Sequence, residues 1–184
     1  LLGLVGSEMC IRDRYISACK KAINYKIDCF SIVTSGRTLS NTDYKKAVML
    51  YSKANKECTG ILQCASHGLL TREQLAGLKN AGVKRYHANL ETSERYFPFI
   101  CTTHTYADKI RLIKDAQSVG VKVCSGGIIG IGETMQDRID MAFELNKLGI
   151  MSIPINIYLP LEGTFFRDIP TPVSYTHLTL PTTS

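Results

Sequence analysis

Between residue 15 and about residue 158 the chain repeats one arrangement at roughly 30-residue intervals: apolar residues at helical spacing, a glycine, then a short apolar run. Thr71-Arg72-Glu73-Gln74 has the spacing of a reciprocal cap, in which the Thr71 hydroxyl and the Gln74 amide each satisfy a backbone donor at a helix start. Leu75, Leu78 and Ala81 then fall on one helical face, Gly82 suits the turn beyond the helix end, and residues 83–87 read as a strand. A second unit opens at Thr105, aligns Ile110, Ile113, Ala116 and Val119, stops at Gly120 and runs into a strand over 121–124. A third helix over 134–148 is expected to bury Ile139, Ala142, Phe143 and Leu145 and to end at Gly149 before a strand over 152–157. Upstream, strands over 27–33 and 61–65 flank a helix over 41–54.

Five strands alternating with helices predict an α/β fold with a parallel sheet and right-handed crossovers. Periodicity is compatible with an open doubly wound sheet or with part of a (β/α)8 barrel, since five strands fall short of the eight that close one. In both, chemistry collects at the carboxyl ends of the strands. Residues 1–14 hold no complete unit, and residues 171–184, ending in the Thr-rich SYTHLTLPTTS, carry no defensible pattern. Both stretches read as non-native flanks of the kind left by translated adapter sequence, leaving 15–170 as the folded region.

Composition narrows the classes. At 184 residues with 45% hydrophobic and 21% charged residues, the chain is ordinary globular material rather than disordered or fibrous. The net charge of +6 comes from scattered basic residues, which predicts a solvated surface and no nucleic-acid partner. No apolar run approaches the roughly 20 residues of a membrane span, and LLGLVG is too short for a signal core. Seven cysteines at uneven spacing suit a reducing cytoplasm, where such a surplus points to metal or catalysis.

Four places could carry chemistry. Cys64 and Cys124 close two strands, while Cys29 and Ser31 share one face of another. Inward-facing thiols at such positions could converge on a soft metal, zinc or an iron–sulfur cluster, or could be small buried apolar groups. Cys10, Cys19, Cys58 and Cys101 lie in helical or loop positions and read as apolar filler. Asn89 and Glu91, two apart beyond a strand, form an amide–carboxylate pair suited to a vicinal diol such as a ribose, although both residues are common in loops. The run Ser125-Gly126-Gly127-Ile128-Ile129-Gly130-Ile131-Gly132-Glu133 offers bare backbone to a nucleotide-like ligand or, alternatively, a tight barrel corner. It is neither a Rossmann fingerprint nor a phosphate-binding P-loop. Asn156 shares a strand face with Pro154 and needs a polar partner, from a ligand or a neighbouring side chain.

The segments YHANLETSERYFPFICTTHTY, VCSGGIIGIGET and SIPINIYLPLEGT, in this order and spacing, resemble the biotin synthase family of radical S-adenosylmethionine enzymes over residues 15–168. The resemblance implies an incomplete (β/α)8 barrel and the insertion of sulfur into dethiobiotin by a 5′-deoxyadenosyl radical. It implies S-adenosylmethionine, a 4Fe–4S cluster and an auxiliary cluster (2Fe–2S in the family). Partners implied are dethiobiotin, an electron donor such as flavodoxin or ferredoxin, and a second copy in a homodimer. By position, Asn89 and Glu91 match the pair on the cofactor ribose, and Gly126 to Glu133 (Gly126, Gly127, Ile128, Ile129, Gly130, Gly132, Glu133) match the cofactor-lining strand. Asn156, Asn89 and His87 match groups around the ureido ring of the substrate, and Cys64 and Cys124 match two auxiliary-cluster ligands.

The departures are specific. The family's C-x-x-x-C-x-x-C loop is not supplied by Cys10 and Cys19, so this chain alone is expected to be inactive. Ser31 stands where the family has a cluster cysteine, so either Cys29 substitutes from the same strand face or the auxiliary cluster differs in type. A related radical enzyme of another substrate, such as a hydrogenase-cofactor maturase, and a non-redox nucleotide-binding α/β module are the rival readings.

Overall fold

The computed structural model describes residues 8–160 and 162–163. The chain divides into two compact units, Leu1–Ala88 with Arg111–Val123, and Asn89–Ile110 with Cys124–Ser184.

In the first unit, α1 (Glu8–Asn24) precedes β1 (Cys29–Val33), α2 (Asn41–Glu57), β2 (Leu62–Ser66), α3 (Arg72–Asn80) and β3 (Val83–His87). With β4 (Lys122–Cys124) these strands form a sheet in the order β1-β2-β3-β4. β1 and β2 run parallel with Ser31 opposite Cys64, and β2 and β3 run parallel with Cys64 opposite Arg85. Paired residues project to the same side, so Cys29, Ser31, Leu62 and Cys64 share one face and Phe30, Ile32, Gln63 and Ala65 the other. The second face is covered by helices. The Tyr15 hydroxyl of α1 donates to Gln63, and its ring lies 5.3 Å from that of Phe30.

A polar knot closes the carboxyl end of β2. Tyr51 of α2 donates to the Cys64 carbonyl and lies 3.0 Å from Nε2 of buried His67, whose Nδ1 is 3.1 Å from the Thr34 hydroxyl. The Tyr86 hydroxyl accepts from the His67 amide and donates to the Gly68 carbonyl. Burial holds the His67 imidazole neutral, its pKa lowered to about 4. The α3 cap forms as its sequence requires, with Thr71 and Gln74 bonded reciprocally, and Leu75, Leu78 and Ala81 are buried.

The second unit holds α4 (Phe97–Ile100), the start of α5 (Tyr106–Ser118), β5 (Gly127–Ile129), α6 (Met135–Lys147) and β6 (Ile155–Ile157). β5 and β6 pair in parallel, Ile128 opposite Asn156, and Cys124 forms an isolated bridge with Ser152. β5 lies in the glycine-rich run, where the family resemblance implies a strand and periodicity alone does not, and the strand expected over 152–157 is regular only over its last three residues.

The expected core face of α6 is corrected. Met141, Leu145 and Leu148 are buried together with Asp137, while Ile139, Ala142 and Phe143 face outward, Phe143 at 70% exposure. Asp137 fixes the helix's rotation: its carboxylate accepts from Ser93 at 2.6 Å, from Arg95 at 2.7 Å and from the Thr134 hydroxyl and amide. Burial disfavours that charge, but the Ser93 and Thr134 hydrogen bonds and the Arg95 guanidinium outweigh it and hold the carboxyl at about 2. A buried, fully bonded carboxylate thus takes the place that apolar periodicity alone would give to Ile139 and Phe143. Among the described residues no helix is long and apolar enough to cross a membrane. The tail from residue 171 lies outside the described residues.

Candidate functional site

Directly after β3 the chain enters the second unit through Asn89-Leu90-Glu91, and the backbone fixes this segment before any side chain acts. The Glu91 amide donates to the Gly126 carbonyl and the Ile128 amide donates to the Glu91 carbonyl. Between these bonds Glu91 adopts φ 71, a left-handed conformation that costs a non-glycine residue roughly 1–3 kcal/mol. Buried Asn89 accepts from the Gly126 amide at 3.0 Å and donates towards Glu91 Oε2 at 3.5 Å. Asn89 therefore latches Glu91 to the glycine run.

The Glu91 side chain lines a cavity of about 340 Å³ with Phe97, Ile100, Cys101, His104, Lys109, Ile128, Ile131 and Tyr158. The volume sits at the small end of the roughly 300–1,000 Å³ range of ligand pockets. Burial raises the Glu91 carboxyl above the ordinary carboxylate range, against the pull of the Lys109 ammonium and the Asn89 amide. A half-buried carboxylate with one long hydrogen bond retains acceptor capacity, as a diol requires. The apolar walls, Ile128 of β5 and Ile131 of the turn after it together with Phe97 and Ile100 of α4, suit a flat ring.

The glycine run works differently from the bare ligand cradle considered above. A Cβ on Gly126 would overlap the Pro154 carbonyl, and one on Gly127 would meet the Glu91 carbonyl, so close packing of protein backbone dictates glycine there. Gly130 has φ 94, beyond the reach of most side chains. Glu133 does not reach the cavity walls. Its carboxylate accepts from the Gly130 amide at 2.9 Å, the Ile131 amide at 2.8 Å and Arg138 Nε at 2.8 Å. Its role here is to hold the turn that presents Ile131. Ile129 accepts from the Tyr158 amide and pairs with Ile157, while Gly132 takes φ 99.

Asn156 is exposed and pairs with Ile128, which places it on the same face as that cavity-lining residue. His87 ends β3 half-buried. Ser31 and buried Cys64 are opposite one another, Cys29 lies exposed on the same face, and half-buried Cys124 ends β4 in the other unit. Among the described residues no three His, Cys, Asp or Glu side chains gather in a way that could hold a metal ion. Cys64 and Cys124 belong to different units, and no chemical step is derived through a cluster on these thiols. Cys19 and Cys58 are buried filler as expected, whereas Cys101 lines the cavity. Cys101, His104, Lys109, Phe97, Ile100 and Tyr158 were not singled out by the sequence as site residues, whereas Ile131 lies in the glycine-rich run that was. The available signal was position, since the first five lie in the segment that follows the carboxyl end of β3.

The profile of the Radical SAM superfamily matches residues 19–145. The biotin synthase of Clostridium beijerinckii is 58% identical over 151 residues, 82% of this chain and 48% of that protein. The biotin synthase of Alkaliphilus metalliredigens is 53% identical over 154 residues, 84% and 48% respectively. The chain spans about half the length of these curated relatives. Among solved structures, HydG, a maturase of the FeFe-hydrogenase, aligns with a TM-score of 0.72 at 16% identity, covering 90% of this chain and 39% of that one. Methylornithine synthase (PylB) aligns at 0.65 and 15% identity, covering 92% and 66%. These likenesses show the fold, an α/β chain of parallel strands and covering helices of the incomplete-barrel type.

Proposed function

Because the chain belongs to the Radical SAM superfamily, we propose that it is part of a biotin synthase, in which the described cavity receives the nucleoside of S-adenosylmethionine. One observation carries the reading: Asn89, Glu91 and the glycine run, distant in sequence, are fastened together so that the Glu91 carboxylate faces a cavity walled by Ile128 and Ile131. Glu91 accepts the ribose hydroxyls, Asn89 holds Glu91 in place, and the isoleucines bracket the adenine ring. Bound S-adenosylmethionine supplies the hydrogen-abstracting power in a complete enzyme, and the residues of this chain bind it, orient it and exclude water.

Asn156, on the face of Ile128, is the proposed hydrogen-bonding group for the ureido ring of dethiobiotin, with Asn89 and His87 as further candidates on the family match. On the family match, Cys64, Cys124 and Ser31 or Cys29 are proposed as donors to an auxiliary iron–sulfur cluster. A cytoplasmic location, a flavodoxin or ferredoxin as electron donor, and a homodimer complete the reading. Residues 15–170 are proposed as the native part of the chain.

The test restores the sequence flanking this region and measures 5′-deoxyadenosine. Formation that depends on dethiobiotin is expected. In that enzyme Asn156→Ala should weaken dethiobiotin binding more than S-adenosylmethionine binding. Equal losses for both ligands would contradict the assignment.

A further inference from the structure

Cys101 follows α4, and its surroundings set it apart from the other described thiols. Its Sγ lies 3.4 Å from His104 Nδ1 and 3.5 Å from the Thr103 hydroxyl, which is itself 3.0 Å from that ring nitrogen. Burial alone would raise the thiol pKa. The Thr103 hydroxyl, the backbone amides of Thr103 and His104, and the Lys109 ammonium together bring it below the ordinary thiol value. Lys109 acts electrostatically on Glu91 as well as on Cys101, so one wall of the cavity carries a cation near a thiol and a carboxylate.

We propose that Cys101 is a thiol–disulfide exchange site, taking up half of a small disulfide whose two halves each carry an ammonium and a carboxylate, as in cystine. The Cys101 thiolate, its proton taken by His104, attacks one sulfur of the disulfide. The Sγ–S bond forms as the original S–S bond breaks, and the displaced half leaves as a thiolate with the bonding electron pair before taking a proton from water. Cys101 is oxidised and the departing half is reduced. The retained half occupies the cavity, its ammonium towards Glu91 and its carboxylate towards Lys109. The modification needs only the cavity and does not depend on the cofactor assigned to it. A thiol here couples the redox state of the surroundings to whether the cavity is open.

The test incubates the reduced chain with cystine at neutral pH, quenches with acid and maps cysteinylation by peptide mass. Exposed Cys29 serves as the internal reference. Cys101 is expected to react about tenfold faster than Cys29, because thiolate fraction outweighs exposure. Equal or faster labelling of Cys29 overturns the proposal. Lys109→Met should reduce the Cys101-to-Cys29 ratio several-fold, and an unchanged ratio also overturns it. With cystamine or dithiodiglycolate, which carry one sign of charge, the ratio should be lower than with cystine, and a higher ratio contradicts the disulfide class.

Discussion

Two glutamates in the same unit show how the same side chain can serve opposite ends. Glu133 is almost wholly enclosed and accepts from two backbone amides and a guanidinium, so its acceptor capacity is spent on its own turn. Glu91 faces a cavity, accepts one long hydrogen bond and sits in a strained backbone conformation. The saturated carboxylate stabilises the fold, whereas the unsaturated one carries an energetic cost that a ligand can repay. Acidity alone distinguishes neither; the number of donors already in place does.

The contrast can be broken most forcefully at Glu133. Glu133→Ala leaves the Gly130 and Ile131 amides without their acceptor and Arg138 without its counter-charge. Chemical denaturation should show a loss of about 3–5 kcal/mol, the usual penalty for breaking a buried pair. Glu91→Ala should leave stability nearly intact and instead weaken S-adenosylmethionine binding about 10- to 100-fold in calorimetry. That range corresponds to about 1.5–3 kcal/mol for a charged hydrogen bond. A variant that loses stability and keeps its affinity would reverse the roles of the two residues.

Gly126→Ala tests the glycine run on the same terms. Its Cβ would meet the Pro154 carbonyl, so a stability loss of about 1–3 kcal/mol is expected from overpacking. A change in cofactor affinity without loss of stability would restore the ligand-cradle reading.

The smallest effect concerns pH. The folded-state pKa of Glu91 is raised, so the folded chain favours the protonated carboxyl, and this preference is fully present below the unfolded-state value of 4.5. Its contribution is lost as pH rises through the folded-state pKa, above which an ionised and partly desolvated group remains. Glu91→Gln should therefore raise the melting temperature slightly at pH 7 and leave it unchanged near pH 4, as read by thermal scans. A fall at pH 7 would show that the carboxylate is well solvated.

The alternating strands and helices were legible because caps and glycines punctuate them, as at Thr71, Gln74 and Gly82. Asn89 and Glu91 could be paired by spacing, and the structure adds the Gly126 amide that fixes them. β5 was legible only through the family resemblance and not from periodicity, because a strand of Gly127, Ile128 and Ile129 takes its identity from pairing with residues 155–157 rather than from its own pattern. The outward face of α6 was misread for a related reason: besides its local cap partner Thr134, Asp137 is held by Ser93 and Arg95, more than 40 residues away. The cavity side of Cys101 and Lys109 escaped notice because a single thiol after a short helix, or a single amine on the first turn of α5, has no periodicity to announce it.

The fastening of Glu91 to Gly126 and Ile128 also sets a timetable for synthesis on the ribosome. A nascent chain halted before these residues emerge holds the Asn89–Glu91 segment but neither of the amides that dock on it, Gly126 on Asn89 and Ile128 on Glu91. Ligand recognition at this carboxylate therefore switches on only after the β5 segment has left the exit tunnel, late in the making of this region.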